Sequence, residues 1–165
     1  MSNLVRSLLD ADVSSIVQEE DQVLGLEKAL PSISPEDYAA LASWGLPANN
    51  RLRPFPTPGS VSLGVLGRDF EIGTLDNSLL VVVKASGVVL NTDRNTKRFF
   101  VNSSIRQFAE TAWRYHRIRP LALQAEREDE DSGEIWQAFW SRAVEIDPHV
   151  DLDRSVSYWQ GILAF

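Results

Sequence analysis

Residues 98–116 read RFFVNSSIRQFAETAWRYH, and the spacing of the apolar residues changes inside this stretch. Residues 98–101 have the composition of a β-strand. Ser104 has Gln107 three positions later, which is the capping signature of a helix start. Apolar side chains then recur at helical spacing, at Ile105, Phe108, Ala109, Ala112, Trp113 and His116. The stretch therefore predicts a strand that leads directly into a helix over residues 104–117, whose apolar face packs on a sheet.

The residues before this stretch alternate between apolar and polar side chains with a period of two, as in half-buried strands. The pattern predicts strands at residues 61–65, 70–74, 79–83 and 88–90, followed by the strand at 98–101. Only short segments rich in turn-forming residues separate them, and such turns join antiparallel neighbours. We therefore predict a central antiparallel meander of about five strands.

The N-terminal residues predict helices. Residues 3–30 carry apolar side chains at helical spacing, and Gly25 together with the acidic residues 19–21 leaves open a division into two helices. Residues 47–60 contain four of the eight prolines of the chain, which excludes a regular helix or a central strand there.

A further helix is predicted between these two segments. Ser34 is its expected cap, with Pro35 at its first position and Asp37 completing a capping box. Gly45 suits the left-handed position that follows a helix, and Pro47 prevents the helix from continuing.

The C-terminal third predicts an acidic loop and two helices. The loop reads AEREDEDSG, residues 125–133, and residues 135–146 form the next helical pattern, which Pro148 ends. Asp153 is the expected cap of a last helix. The predicted fold is α+β, a single domain over residues 1–165 in which residues 1–34 form either part of the core or a helical extension.

The composition excludes several classes of protein. The chain has 165 residues and no cysteine, so disulfides, Cys-ligated metals and thiol nucleophiles are absent. The N-terminus lacks the apolar run of a signal peptide, and no stretch is long enough to span a bilayer, so we expect a cytoplasmic protein. The net charge is −7, with a basic middle between acidic ends, which argues against a nucleic-acid or anionic membrane partner and favours a basic protein.

The sequence holds no strong catalytic motif. G-x-S-x-G, P-loop and G-x-G-x-x-G patterns are all missing. His116 is interpreted as a histidine at the edge of the core rather than a base, and residues 147–153 as a helix stop and cap rather than a cation site. A carboxylate pair of the glycosidase type stays open, because the separation of two carboxylates is a spatial quantity. We predict no metal and no cofactor.

The acidic loop is the candidate partner-binding site. Its acidic side chains are Glu126, Glu128, Asp129, Glu130 and Asp131. They form either a solvated segment or an interaction surface. Trp136 and Trp140 follow four residues apart, and each is either a core residue or an apolar anchor for a partner.

Four features in order resemble the SUKH superfamily of bacterial immunity proteins, in its fourth group. In chain order they are YAALASWGLP, the meander, RFFVNSSIRQFAETAWRY, and EIDPHVDLDRSVSYWQGIL with its Trp-bearing helix. The resemblance spans about residues 35–165. It implies a non-enzymatic protein that binds and neutralises a cognate toxin domain, often a nuclease, encoded by a neighbouring gene. It also implies that the motif residues are structural: Gly45, Pro47, Asn102, Ser103, Ser104, Asp147, Pro148 and Trp159. A regulatory or scaffold module on the same fold, or a hydrolase, are the alternatives.

Overall fold

The computed structural model describes residues 2–23, 33–47, 65–66, 69–75, 78–83, 86–93, 98–152 and 158–159. The helices are α1 (Asn3–Asp10), α2 (Val13–Ile16), α3 (Pro35–Trp44), α4 (Ile105–Arg127) and α5 (Gly133–Ile146). The strands are β1 (Gln22–Val23), β2 (Leu46–Pro47), β3 (Val65–Leu66), β4 (Asp69–Leu75), β5 (Ser78–Val83), β6 (Val89–Asp93) and β7 (Arg98–Asn102). Short 3-10 turns cover Glu19–Asp21 and Pro148–Asp151.

The described strands confirm the α+β class and the antiparallel character of the sheet. β5 pairs antiparallel with β6, and β6 pairs antiparallel with β7. β5, β6 and β7 carry the buried face, because Leu80, Val82, Val89 and Val101 are core residues. Of the strand predicted at residues 61–65, only Val65 lies within the described residues.

The N-terminal helical pattern breaks earlier than predicted. α1 ends at Asp10, and Asp12 begins α2 by accepting a hydrogen bond from the Ser14 amide at 2.9 Å. After the 3-10 turn, β1 pairs with β2, with Gln22 opposite Pro47. The prediction of helices is therefore confirmed for α1 and α2 and wrong for residues 17–23, where a distant strand partner competes with the helix, and residues 24–30 lie outside the described part of the chain. Gly25 lies outside the described residues.

The helix at residues 35–44 is confirmed, with one difference at its start. The Ser34 hydroxyl accepts from the Asp37 amide at 3.0 Å, as predicted. The Asp37 carboxylate does not return to Ser34 to complete the box: it is buried and accepts from the Arg106 amide in the first turn of α4 at 2.7 Å. Gly45 has φ 58, and a Cβ there would lie 2.6 Å from Gln22 Cγ, so both its conformation and the paired β1 favour glycine.

α4 is longer than predicted and is the centre of the fold. The helix continues through Pro120 to Arg127, so Ala125, Glu126 and Arg127 are helical and the acidic loop shrinks to residues 128–132. The prediction ended the helix at residue 117, but packing on several sides holds the helix together beyond it, despite the unfavourable Pro120. It contacts α1, α2, α3, α5, β2 and β7. The predicted helix at residues 135–146 is confirmed as α5.

The side chains of α4 divide between two layers. Ile105, Phe108 and Ala112 belong to the core shared with the sheet, as predicted. Trp113 does not face the sheet. It is fully buried against Val13 and Ile16, and its indole nitrogen donates to the carbonyl oxygens at the end of α3. The assignment of Trp113 to the sheet is therefore wrong, because a helix covered on several sides has apolar residues on more than one face.

Candidate functional site

The described motif residues of the second half of the chain meet in one buried polar junction. The Asp147 carboxylate accepts from the Ser103 amide at 2.6 Å, the Ser103 hydroxyl at 2.9 Å and the Asn102 side-chain amide at 3.2 Å. The Trp159 indole nitrogen donates to the Asn102 side-chain oxygen at 2.9 Å. Asn102, Asp147 and Trp159 are completely buried.

The junction joins three parts of the chain. Asp147 ends α5 and also caps the 3-10 turn that Pro148 begins, by accepting from the His149 amide. Ser104 caps α4, and the Gln107 side chain of that helix donates to the Ile146 carbonyl at 3.0 Å. The end of β7, the start of α4 and the end of α5 are therefore held together by side chains whose donors and acceptors are used internally.

The other two motif residues lie away from this junction. Gly45 and Pro47 lie at the end of α3 and in β2, and the Gly45 carbonyl accepts from Trp113. Both are buried. Their position is consistent with a role in ending the helix and pairing with β1.

A buried arginine holds the N-terminal helix in place. Arg114 has 1% of its surface exposed, and its guanidinium bonds to the Glu110 carboxylate at 2.8 Å. It also donates to three carbonyl oxygens at the end of α1, those of Leu8, Leu9 and Ala11. A cation at a helix C-terminus complements the helix dipole. Sequence reasoning missed Arg114, because only the three-dimensional packing brings α1 to this face of α4.

The two histidines have different surroundings. His116 is buried at the edge of the core, as predicted, with its Nε2 atom 2.9 Å from an Asp21 carboxylate oxygen and its ring edge-on to Trp113. His149 is largely exposed beside Asp147. The described residues contain no group of three histidine, aspartate or glutamate side chains arranged as metal ligands.

The acidic loop closes the far end of α4. The Glu130 amide donates to the Ala125 carbonyl and the Asp129 amide to the Glu126 carbonyl, which is the hydrogen-bond pattern of a Schellman motif. Asp129 occupies the left-handed position with φ 56, where glycine is usual. The Glu126 carboxylate accepts from Ser132, which ties the loop to α5. All five acidic side chains of the predicted site are exposed, including Glu126 in the last turn of α4, and three of them, Glu128, Glu130 and Asp131, line a depression of about 220 Å³.

The two tryptophans of α5 are placed differently. Trp140 is a core residue with 8% of its surface exposed. Trp136 is half-buried and stacks on Tyr115 at a centroid distance of 5.9 Å. Trp136 is thus the better placed of the two to contact a partner.

The loop and the buried junction lie at opposite ends of α4, roughly 33 Å apart at 1.5 Å per residue.

The sequence matches the SUKH-4 immunity protein family over residues 27–164. The chain belongs to this family. The resemblance stated from the motifs is therefore confirmed, and the matched range includes α3, the sheet, α4 and α5. No curated protein and no solved structure matches the chain. Among the described helices of this SUKH-4 member, none combines the length and apolar composition that a membrane span requires.

Proposed function

We propose that this SUKH-4 protein binds a cognate bacterial toxin domain in the cytoplasm and neutralises it by direct contact, without catalysis and without a cofactor. The observation that carries the proposal is the family match over residues 27–164. It is supported by the contacts of the motif residues, since Asn102 and Asp147 are fully buried, Ser103 is half-buried, and the three satisfy one another's hydrogen bonds. Residues occupied in this way stabilise a scaffold and are not available to a substrate.

The acidic loop is the surface that we propose for the first encounter with the toxin. A nuclease groove is positive because it holds phosphate, and a carboxylate-rich loop of a protein with net charge −7 is attracted to such a groove. Glu128 and Glu130 are exposed and extend beyond the end of α4. Their position supports a role in electrostatic steering.

We also propose that the whole chain forms one domain built on the complete five-stranded meander. The pairing order from β3 to β7 supports this arrangement. Val5 and Leu9 of α1 belong to the same core cluster as the sheet residues, which supports an integral role for the N-terminal helices.

Co-purification with the toxin domain encoded by the neighbouring gene tests the proposal. The toxin domain is produced in a catalytically inactive form with an affinity tag, and the eluted complex is analysed by light scattering. A complex of one toxin with one immunity protein is the expected result. Failure of the two purified proteins to associate overturns the proposal, whereas several weaker partners would indicate a regulatory module instead.

A further inference from the structure

A groove lies between α1 and the C-terminal half of α4, beside the acidic loop but separate from it. It encloses about 370 Å³, and its apolar walls are Leu4, Leu8, Pro120 and Leu121. Leu4 has 55% of its surface exposed, although it belongs to a helix that packs on the core. An exposed leucine at the mouth of an apolar groove is a feature of interaction sites.

Pro120 has no evident structural reason to be in this position. Proline is the least favourable residue in a helix interior, and because Pro120 is exposed its own side chain gains no burial that would favour it there, although contacts elsewhere along α4 keep the helix continuous. Because proline has no amide hydrogen, the carbonyl of His116, four residues earlier, lacks the donor that a regular helix provides. His116 also lines the groove. A residue that breaks a local preference, here the avoidance of proline in a helix interior, without a packing benefit is typical of a functional site.

Arg117 adds a charge to this groove. It is half-buried, and its Nε atom is buried with no hydrogen-bond partner among the described residues. The nearby Asp21 carboxylate has a hydrogen-bond partner already, since one of its oxygens lies 2.9 Å from His116 Nε2. A partly desolvated guanidinium is stabilised by a carboxylate that approaches from outside.

The groove continues toward the acidic loop. Leu121 lines both the groove and the depression that contains Glu128, Glu130 and Asp131. Leu4, Leu8 and Asp21 precede residue 27, where the family match begins, so the groove is built in part by residues that the match does not include.

We propose that this groove anchors the toxin by taking an apolar side chain flanked by an aspartate or glutamate of the toxin surface. The apolar side chain fills the space beside Leu4 and Leu121, the carboxylate pairs with Arg117, and a main-chain amide of the toxin donates to the His116 carbonyl. The inference rests on the proposed function and names the surface that controls dissociation. The acidic loop steers the encounter, while the desolvated groove holds the complex together.

Titration of the inactive toxin domain into purified variants tests the groove. Leu4→Asp and Arg117→Gln should each raise the dissociation constant roughly tenfold or more, chiefly through faster dissociation. The matched controls are Leu152→Asp, at a leucine with 79% of its surface exposed, and Arg127→Gln, at an exposed arginine of the same helix. Both controls should bind within about twofold of the wild type. Thermal unfolding of every variant verifies that the fold is intact.

Pro120→Ala provides a readout that a purely structural role does not give. Alanine restores the helix hydrogen bond to the His116 carbonyl, so the melting temperature should rise while toxin binding weakens.

The outcomes separate this inference from the proposed function. If the wild type does not bind the toxin, both are overturned. If it binds and Leu4→Asp and Arg117→Gln bind equally well, the groove proposal is overturned and the proposed function stands. A wild-type dimer that Leu4→Asp converts to a monomer without loss of toxin binding identifies a second copy of the chain as the occupant and also overturns it.

Discussion

Ser103 and Asp147, 44 residues apart in the sequence, are joined by two hydrogen bonds, in which the amide and the hydroxyl of the serine donate to the aspartate carboxylate at 2.6 Å and 2.9 Å. Asn102 adds a third donor, and its own side-chain oxygen is taken by Trp159. The short motifs at the end of β7 and the end of α5 therefore act as one unit. The end of α5 supplies the acceptor, Asp147, and the end of β7 supplies the donors, Asn102 and Ser103, so these groups satisfy one another's hydrogen bonds.

Substitution of Asp147 should be strongly destabilising. Asp147→Ala leaves the buried donor of Asn102 and the two partly buried donors of Ser103 without their acceptor, at an expected loss of about 3 kcal/mol or more of unfolding free energy. Asp147→Asn should also lose stability. The side-chain NH2 group of asparagine is a donor, and it would replace one carboxylate oxygen that now accepts from Asn102 or Ser103. Urea denaturation measures both variants. Glu145→Ala, at an exposed residue of the same helix, serves as control, and an Asp147→Asn variant within about 0.5 kcal/mol of the wild type would contradict this role.

Local signals in the sequence predicted the helix starts well. Ser104 and Ser34 both cap helices as expected, because a cap depends on neighbours three residues away. The antiparallel strands followed from short turns for the same reason. The pairing of β1 with β2 and the reach of Asp37 to α4 link residues far apart in the chain, and no local pattern encodes such partners.

The candidate site was predictable in its exposed part only. Loop carboxylates such as Glu128 are exposed wherever the loop lies, so their composition was informative. The groove depends on α1 lying across α4 and on the continuation of α4 beyond residue 117, where the predicted helix ends. Tertiary packing overrides a single unfavourable residue, and the sequence alone does not reveal where that happens.

The cap of α4 provides a milder test of structural roles. The Ser104 hydroxyl accepts from the Gln107 amide at 3.2 Å, so Ser104→Ala should lower the unfolding free energy by about 0.5–2 kcal/mol. Cells that carry the variant should remain protected from the toxin, since the hydroxyl does no chemistry. Chemical denaturation and a growth assay measure the two effects, with Ser141→Ala on the exposed face of α5 as control. Lost protection at unchanged stability would assign the hydroxyl to a functional site.

Trp113 connects α4 to the N-terminal helical layer. It is fully buried, and its indole nitrogen donates to the carbonyl oxygens of Trp44 and Gly45 at 3.2 Å and 3.3 Å. Trp113→Ala should cost about 3–5 kcal/mol of unfolding free energy, which is close to the whole stability of many domains, and Trp113→Phe should cost less. Guanidinium denaturation followed by circular dichroism measures the change. Wild-type stability of Trp113→Ala would show that this layer is not part of the folded core.

Tyr158 should limit stability at alkaline pH. Burial raises the pKa of its hydroxyl well above the usual value, and the neighbouring Tyr115 adds to this effect. A raised pKa means that the folded state favours the neutral phenol. The ionisation of Tyr158 therefore does not affect the unfolding free energy below about pH 10, the unfolded value, and lowers it as the pH rises above that value, because the unfolded state then loses the proton more readily than the folded state.

Tyr158→Phe tests this assignment. Within the part of the chain that the structure describes, the buried Tyr158 hydroxyl has no hydrogen-bond partner, so its removal should raise the unfolding free energy at neutral pH by about 1 kcal/mol. It should also reduce the loss of stability between neutral pH and about pH 10.5. Urea denaturation at both pH values gives the comparison, with Tyr38→Phe at an exposed tyrosine as control. An unchanged alkaline slope in Tyr158→Phe would assign that slope to other groups.

The steering role of the acidic loop requires a substitution that leaves the loop geometry intact. Asp129 is unsuitable, because a lysine would be strained at φ 56, and Glu126 holds Ser132 of the α5 start. Glu128 and Glu130 are exposed and free of these roles.

The double variant Glu128→Lys/Glu130→Lys should slow association with the toxin several-fold at low salt and flatten the dependence of the association rate on salt, because steering acts through long-range charge. Stopped-flow association at two salt concentrations measures this effect. Glu36→Lys/Glu145→Lys produces the same change of net charge at the opposite end of α4 and should have a smaller effect. Equal association kinetics for the loop variant and the wild type at both salt concentrations would exclude the loop from the encounter.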